Sequence, residues 1–238
     1  MSAETPGSAT HSAKIAENLQ TLQQQIARYC QQYQRLASEV RLLAVSKTKP
    51  AGDIRAAFAA GQHCFGENYL QEALQKIDSL QDLPIEWHYI GAIQSNKTRE
   101  LAAHFDWVHS VDRLKIARRL SKQRPTGMAE LNICVQVNIS NEASKSGARL
   151  EQLDTLVDDI MQLPGLRLRG LMAIPAQAHT LEAQRTIFAQ MRQALQRLQQ
   201  RYPSLDTLSM GMSNDIEAAI AEGSTLLRVG TAIFGARN

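Results

Sequence analysis

The run LLAVSKTKP, residues 42–50, sets the pattern for the whole chain. Four apolar residues lead into Ser46 and Lys47, and Pro50 stops the run. A short apolar run closed by a breaker reads as a buried strand. Side chains alternate along a strand, so Lys47 shares a face with Val45 and Leu43. If that face lines the inside of a barrel, the amine is partly desolvated. Desolvation disfavours the ammonium and frees the lone pair for attack on an aldehyde. Taken alone, the run reads more simply as a strand ending in a solvated lysine.

Outward from this run the same unit recurs. Helix patterns over 51–60, 69–80, 95–105, 113–123, 150–163, 180–201 and 215–222 alternate with strand patterns over 63–68, 85–94, 107–111, 131–140, 166–175, 206–213 and 225–235. Ser95 and Asn96, and later Asp112, stand where helix caps belong. Eight strands in strict βα alternation imply parallel pairing with helical crossovers. The expected fold is a single α/β TIM-type (β/α)8 barrel. An open doubly wound sheet would want a glycine-rich turn after the first strand, and SKTKPAGD does not supply one.

Upstream, Ile15, Leu19, Leu22, Ile26, Tyr29, Tyr33 and Leu36 recur at spacings of three and four. They mark one long amphipathic helix. Its apolar face either covers one side of the core or binds a partner. Residues 1–12 are rich in Ser, Ala, Thr and Gly and are expected to be frayed, leaving 13–238 as one domain.

Composition narrows the function. A 44% hydrophobic content suffices for a packed core, and a net charge of +3 is scattered among acids. With no basic run and only 5% aromatics, a nucleic-acid surface is not expected. No apolar stretch approaches membrane-spanning length, and the N-terminus has no signal-peptide core. Cys30, Cys64 and Cys134 are far apart and lack metal spacing, which suits reduced thiols in a cytoplasmic protein. The chain is expected to be a monomer.

In a barrel of this kind the site lies at the C-terminal ends of the strands. Lys47 is the first such end. After strand seven, SMGMSND sets Gly211 and Ser213 just before a helix. After strand eight, Arg228, Gly230 and Thr231 follow closely. The loops after strands seven and eight form the recurrent phosphate site of this fold. Singly, Ser213 reads as an ordinary cap and Gly230 as a strand kink. Together with Lys47 they point to a phosphate-bearing aldehyde held as a lysine imine, a description that pyridoxal 5′-phosphate (PLP) fits.

The motifs LLAVSKTKP, FGENYLQEALQK, WHYIGAIQSNK, VHSVDR, QVNIS…SKSG, RGLMAIP, LSMGMSNDIEAAI and RVGTAIFGAR resemble those of the pyridoxal phosphate homeostasis protein family, also called the YggS/PROSC family. The resemblance runs from about Ile15 to the C-terminus. It implies a barrel similar to the barrel domain of alanine racemase, bound PLP, a part in vitamin B6 homeostasis and no established turnover. It also implies roles: Lys47 as the Schiff-base lysine; Ser213, Gly230 and Thr231 at the phosphate; Arg228 at the pyridine nitrogen. Asn68 and Met210 would lie beside the cofactor, with Lys49 as a second lysine near the first. Ala92 stands where some relatives are expected to have proline. PLP-requiring apo-enzymes are the partners that this role implies.

Arg228 then bears on mechanism. A guanidinium only donates, so it leaves the pyridine nitrogen unprotonated and the ring a poor electron sink. Alanine racemase adds a tyrosine base from a second domain, and 238 residues leave no room for one. The expected function is a PLP holder, with a slow amino-acid racemase as the alternative. Other polar residues carry weaker signals. His88 shares a strand face with Ile90 and reads as structural. Lys145 and Gly147 read as a solvated loop or a second anion site. Glu67 and Asp112, a possible acid/base pair, read as caps at helix starts.

Overall fold

The computed structural model describes residues 6–140 and 146–236, with side chains from Thr10 onward. It begins with helix α1 (Pro6–Gln32). There follow β1 (Arg41–Val45), α2 (Ala51–Ala59), β2 (Cys64–Glu67), α3 (Leu70–Ser79), β3 (Glu86–Tyr89), α4 (Thr98–His104) and β4 (Trp107–Val111). The second half comprises α5 (Leu114–Gln123), β5 (Leu131–Val137), α6 (Leu153–Met161), β6 (Leu166–Ala173), α7 (Leu181–Gln199), β7 (Thr207–Ser209), α8 (Ile216–Ala221), β8 (Leu226–Val229) and α9 (Thr231–Phe234). The strands close in sequence order, β1 to β8, with β8 pairing β1. An open sheet is thereby excluded.

Strand alternation divides the interior in two. Ala44, Phe65, Ile133, Leu171, Leu208 and Leu227 face outward and pack under the helices in one large core. Leu43, Ile90 and Leu226 form a small cluster inside the barrel, and Trp107, Cys134 and Met172 form another. The lumen also holds buried polar side chains, among them His88, His109, Ser209 and Arg228. Register shifts twice, between Val108 and Val111 of β4 opposite β5 and between Ile133 and Cys134 of β5 opposite β6. Gly170, at φ +154°, permits the second bulge; a Cβ there would fall 1.9 Å from the Thr207 carbonyl oxygen.

Several elements are shorter than their sequence patterns. β3 stops at Tyr89, β5 at Val137 and β7 at Ser209, because past the rim the chain has no strand to pair with and turns into βα loops. The pattern over 225–235 divides: β8 ends at Val229, and Thr231–Phe234 forms one helical turn. α1 starts at Pro6, a favoured first helical residue, so residues 6–12 are helical where the sequence reads as frayed. Residues 1–5 lie outside the described residues. α1 stops before the turn at Gln34 (φ +54°), and Leu36 is exposed. Ile15, Leu19, Leu22, Ile26 and Cys30 are buried, and α1 packs on α2, α8 and α9. The apolar stripe is thus spent within the fold, not on a partner. No helix of the described residues is long and apolar enough to cross a membrane.

Candidate functional site

Lys47 lies two residues past β1 and is half-buried. Its neighbours are fixed from behind. Ser46 Oγ donates to Glu67 Oε1 at 2.7 Å. The ammonium of Lys76 donates to the same oxygen at 2.7 Å and to the Ser46 carbonyl at 2.7 Å. On the other side, Glu72 accepts the Thr48 N–H and a bond from Lys76. Thr48 is held at φ +64°, a conformation that residues other than glycine rarely adopt. Ser46 points outward to this clamp, so Lys47 falls on the lumen side. Glu67 is therefore not a helix cap. It is fully buried in an ion pair with Lys76. Burial raises its carboxyl pKa, while the Lys76 charge and hydrogen bonds from Lys76 and Ser46 pull it down.

Across the rim, Ser213 and Thr231 line one cleft of about 590 Å3, together with Pro175, Gln177, Met212 and Asp215. Asp215, not Ser213, occupies the cap position of α8, and its carboxylate accepts the Met212 N–H. Burial raises the Asp215 carboxyl pKa, against the Met212 bond and the Arg228 charge. Ser213 is thus released from capping, and neither its hydroxyl nor that of Thr231 makes a hydrogen bond among the described residues. Gly230 stands between β8 and α9, where a Cβ would press on the Val45 carbonyl oxygen at 2.9 Å. The cleft edge and the Lys47 strand therefore meet at this glycine.

Below the rim lies Arg228, only 3% exposed. Its Nη1 donates to Ser209 Oγ at 2.7 Å and its Nη2 to the Ala173 carbonyl at 2.8 Å. Burial lowers its pKa to about 10, with Asp215 opposing, so it stays a cation at neutral pH. The polar contacts continue down the lumen. His109 Nδ1 meets Ser209 Oγ at 2.9 Å, and His109 Nε2 meets His88 Nδ1 at 2.8 Å. His88 Nε2 meets Glu86 Oε1 at 2.6 Å, and Arg41 Nη2 donates to the same oxygen at 2.7 Å. Burial lowers the pKa of both imidazoles. Trp107 stacks on His88 at 5.2 Å between ring centres, with the Arg169 guanidinium 4.7 Å from its own ring centre.

Other sequence expectations fare differently. Asn68 follows β2 at the rim, and its buried Oδ1 accepts no hydrogen bond among the described residues. Met210 turns into the outer core, so its side chain is not brought to the cleft. Lys49 is engaged by the chain after β8, donating to the Phe234 and Ala236 carbonyls at 3.2 and 3.0 Å. Asp112 does not cap α5; it pairs with Arg113 at 2.7 Å. Ser95 and Asn96 form a 3-10 turn ahead of α4. His88 is structural in the sense that it lies deep in the lumen. Lys145 lies outside the described residues. Gly147 brings its loop against Asn138, where a Cβ would fall 2.5 Å from the backbone nitrogen.

Sequence reasoning missed Glu86, His109 and Ser209. Their signal is a polar residue at an inward position of a largely apolar strand. Cys64, Glu86 and His88 bring ligand atoms within 4.8 Å of one another. Arg41 already supplies the positive charge there, donating to Cys64 Sγ at 2.9 Å as well as to Glu86.

The family model for the alanine racemase N-terminal domain matches residues 11–238. The chain is 58% identical to the pyridoxal phosphate homeostasis protein of Pseudomonas aeruginosa over 224 residues, covering 94% of this chain and 96% of that one. It is 53% identical over 227 residues to the protein of that name from Escherichia coli K12, covering 94% and 97%. The solved structure of PipY from Synechococcus elongatus PCC7942 with PLP bound matches with a TM-score of 0.81 and 41% identity, over 93% of this chain and all of that one. Matched along nearly its whole length, this chain belongs to the pyridoxal phosphate homeostasis protein family, built on the alanine racemase N-terminal domain.

Proposed function

We infer that the protein binds PLP reversibly through Lys47, serves PLP homeostasis and turns over little or no substrate. The donor set fits the group. Ser213 and Thr231 offer two unengaged hydroxyls for a phosphate, and the orphaned Asn68 Oδ1 offers an acceptor. Lys47 supplies the amine for covalent attachment, and Arg228 a fixed donor for the ring nitrogen. Bound PLP would bring an aldehyde and a ring able to withdraw electrons. The observation that carries the reading is Arg228. It is a buried guanidinium that remains protonated and can only donate. Opposite it, a ring nitrogen has no need of its own proton, and the ring then stabilises negative charge on a substrate poorly. Cys30, Cys64 and Cys134 stand as thiols, which suits a cytoplasmic setting. The inference extends to a monomer that passes PLP to apo-enzymes.

Borohydride treatment of the PLP-loaded protein, followed by peptide mass spectrometry, tests the anchor. The expected adduct lies on the peptide carrying Lys47 and vanishes in Lys47→Ala, which still folds because the residue sits at the rim. Unreduced PLP-loaded samples of the same proteins, incubated with alanine in deuterated solvent, are expected to show negligible deuterium at the α-carbon. An adduct mainly on Lys49 or Lys145 sinks the anchor. Rapid exchange abolished by Lys47→Ala sinks the holder and favours a racemase.

A further inference from the structure

Six side chains form one line through the barrel: Arg228, Ser209, His109, His88, Glu86 and Arg41. The line runs from beneath the proposed PLP site to the half-exposed carboxylate at the opposite mouth. Chemistry at its two ends fixes every proton between them. A carboxylate only accepts, so His88 donates from Nε2 and, being neutral, accepts at Nδ1. His109 must then donate from Nε2 and accept at Nδ1. Ser209 therefore donates its hydroxyl proton to His109 and takes Arg228 as its own donor. Arginine only donates, so the last link closes without conflict. Reversing any single imidazole would set two protons, or two lone pairs, against each other. His88, His109 and Ser209 are all 0% exposed, so such a mismatch would be costly.

A lumen filled with branched apolar side chains needs no such ordering. The consequence of the polar line lies at its upper end. A serine oxygen that donates onward is a better acceptor, because chained hydrogen bonds polarise one another. Arg228 is held at both terminal nitrogens, by Ser209 and by the Ala173 carbonyl, so its plane is fixed. We propose that Ser209, His109 and His88 are positioning residues which, anchored on Glu86 at one mouth, aim the Arg228 guanidinium at the ring edge of PLP at the other and set how strongly that ring draws electrons. This rests on the PLP reading above.

The experiment has two arms on the full chain. In cofactor-free protein labelled with 15N-histidine, long-range proton–nitrogen spectra report the tautomers. Two neutral Nε2–H imidazoles are expected, identified by a nitrogen–nitrogen coupling across the His109–His88 bond. Glu86→Gln, whose carboxamide can donate or accept, is expected to mix the tautomers of both rings, including the buried and untouched His109. In PLP-loaded protein, Ser209→Ala and Glu86→Gln are expected to retain the cofactor. Both should raise the pH midpoint of its visible absorption band, Ser209→Ala by about half a unit, the scale of one lost hydrogen bond. An Nδ1–H tautomer at either ring of the parent overturns the relay. So does an unmoved band in both variants with PLP bound. A parent that takes up no PLP overturns the earlier reading and the aiming role with it, and an intact tautomer order would then locate the failure in the cofactor assignment.

Discussion

At Gly91 one missing methyl group lets two rim loops meet. A Cβ there would fall 2.1 Å from the Asn68 carbonyl oxygen, and the Gly91 carbonyl accepts the Ser110 hydroxyl on its other side. Backbone cannot yield as a flexible side-chain end can, so Gly91→Ala must displace Asn68 or break the Ser110 bond. Overpacking of this kind costs about 1–3 kcal/mol, and contact with backbone puts it at the upper end. Gly52, inside α2, has nothing within 4 Å of its would-be Cβ. Gly52→Ala is expected to stabilise by about 0.5–1 kcal/mol, the helix cost of glycine. Urea unfolding of both variants checks the contrast, and PLP retention should fall only in Gly91→Ala. Equal stability changes would show that the loops are freer to separate than this packing allows. Residues at strand ends were legible in this way from sequence, because position alone put Lys47, Ser213 and Thr231 at the rim. Glu67 was not. It sits at a helix start and looks like a cap, and only the fold brings Lys76 and Ser46 against it.

Among the elements, α1 does the work that a helix after β8 does in a complete outer ring. α9 is only four residues long and leaves a gap between α8 and α2. α1 fills it, with Asn18 donating to the Ile233 carbonyl at 2.8 Å and Arg35, in the turn just past the helix, donating to the Ile220 and Ser224 carbonyls at 3.0 and 2.7 Å. Leu19, 1% exposed, sits mid-stripe. Leu19→Ala should cost about 2–5 kcal/mol as a cavity in the main core. Thermal unfolding monitored by circular dichroism should show one lowered transition for the whole barrel. A separate early loss of helix, with the barrel melting unchanged, would mean that α1 is an appendage. The order and type of elements were legible because apolar period switches between two and 3.6 at each βα boundary. Element ends were not, since β8 and α9 form one apolar run, TLLRVGTAIFG, with no breaker except Gly230. The lumen was also hidden. Which strand residues meet across a barrel depends on register, and the bulge at Gly170 shifts that register in a way local sequence does not announce.

For the whole molecule the polar lumen predicts how stability follows pH. The imidazoles of His88 and His109 are lowered from the ordinary 6.5 by burial, partly offset at His88 by Glu86 and reinforced at His109 by the repulsion that a protonated His88 would add and by the Arg228 charge. As pH falls below 6.5 the unfolded chain takes up these protons before the folded chain does. The unfolded state then binds more protons, so stability is lost on acidification, by up to about 1.4 kcal/mol per pH unit for each group. Glu86 adds a second window. Burial would raise its pKa, but the His88 and Arg41 contacts prevail and hold it at about 2, against an ordinary 4.5. Its contribution is complete above 4.5 and lost as pH falls towards 2. Glu67, Asp106 and Asp215 are raised by burial and act in the opposite sense, gaining protons in the folded state first. A single stability profile therefore mixes both signs, and a difference profile separates them. Urea unfolding free energies for the parent and for His109→Gln, measured from pH 7.5 to 5, should differ by an amount that shrinks as pH falls. The variant starts less stable, through its lost Ser209 bond, but no longer carries the imidazole that resists protonation. A difference that stays constant across this range would show that His109 titrates alike in the folded and unfolded chains, which a fully buried ring wedged between Ser209 and His88 cannot do.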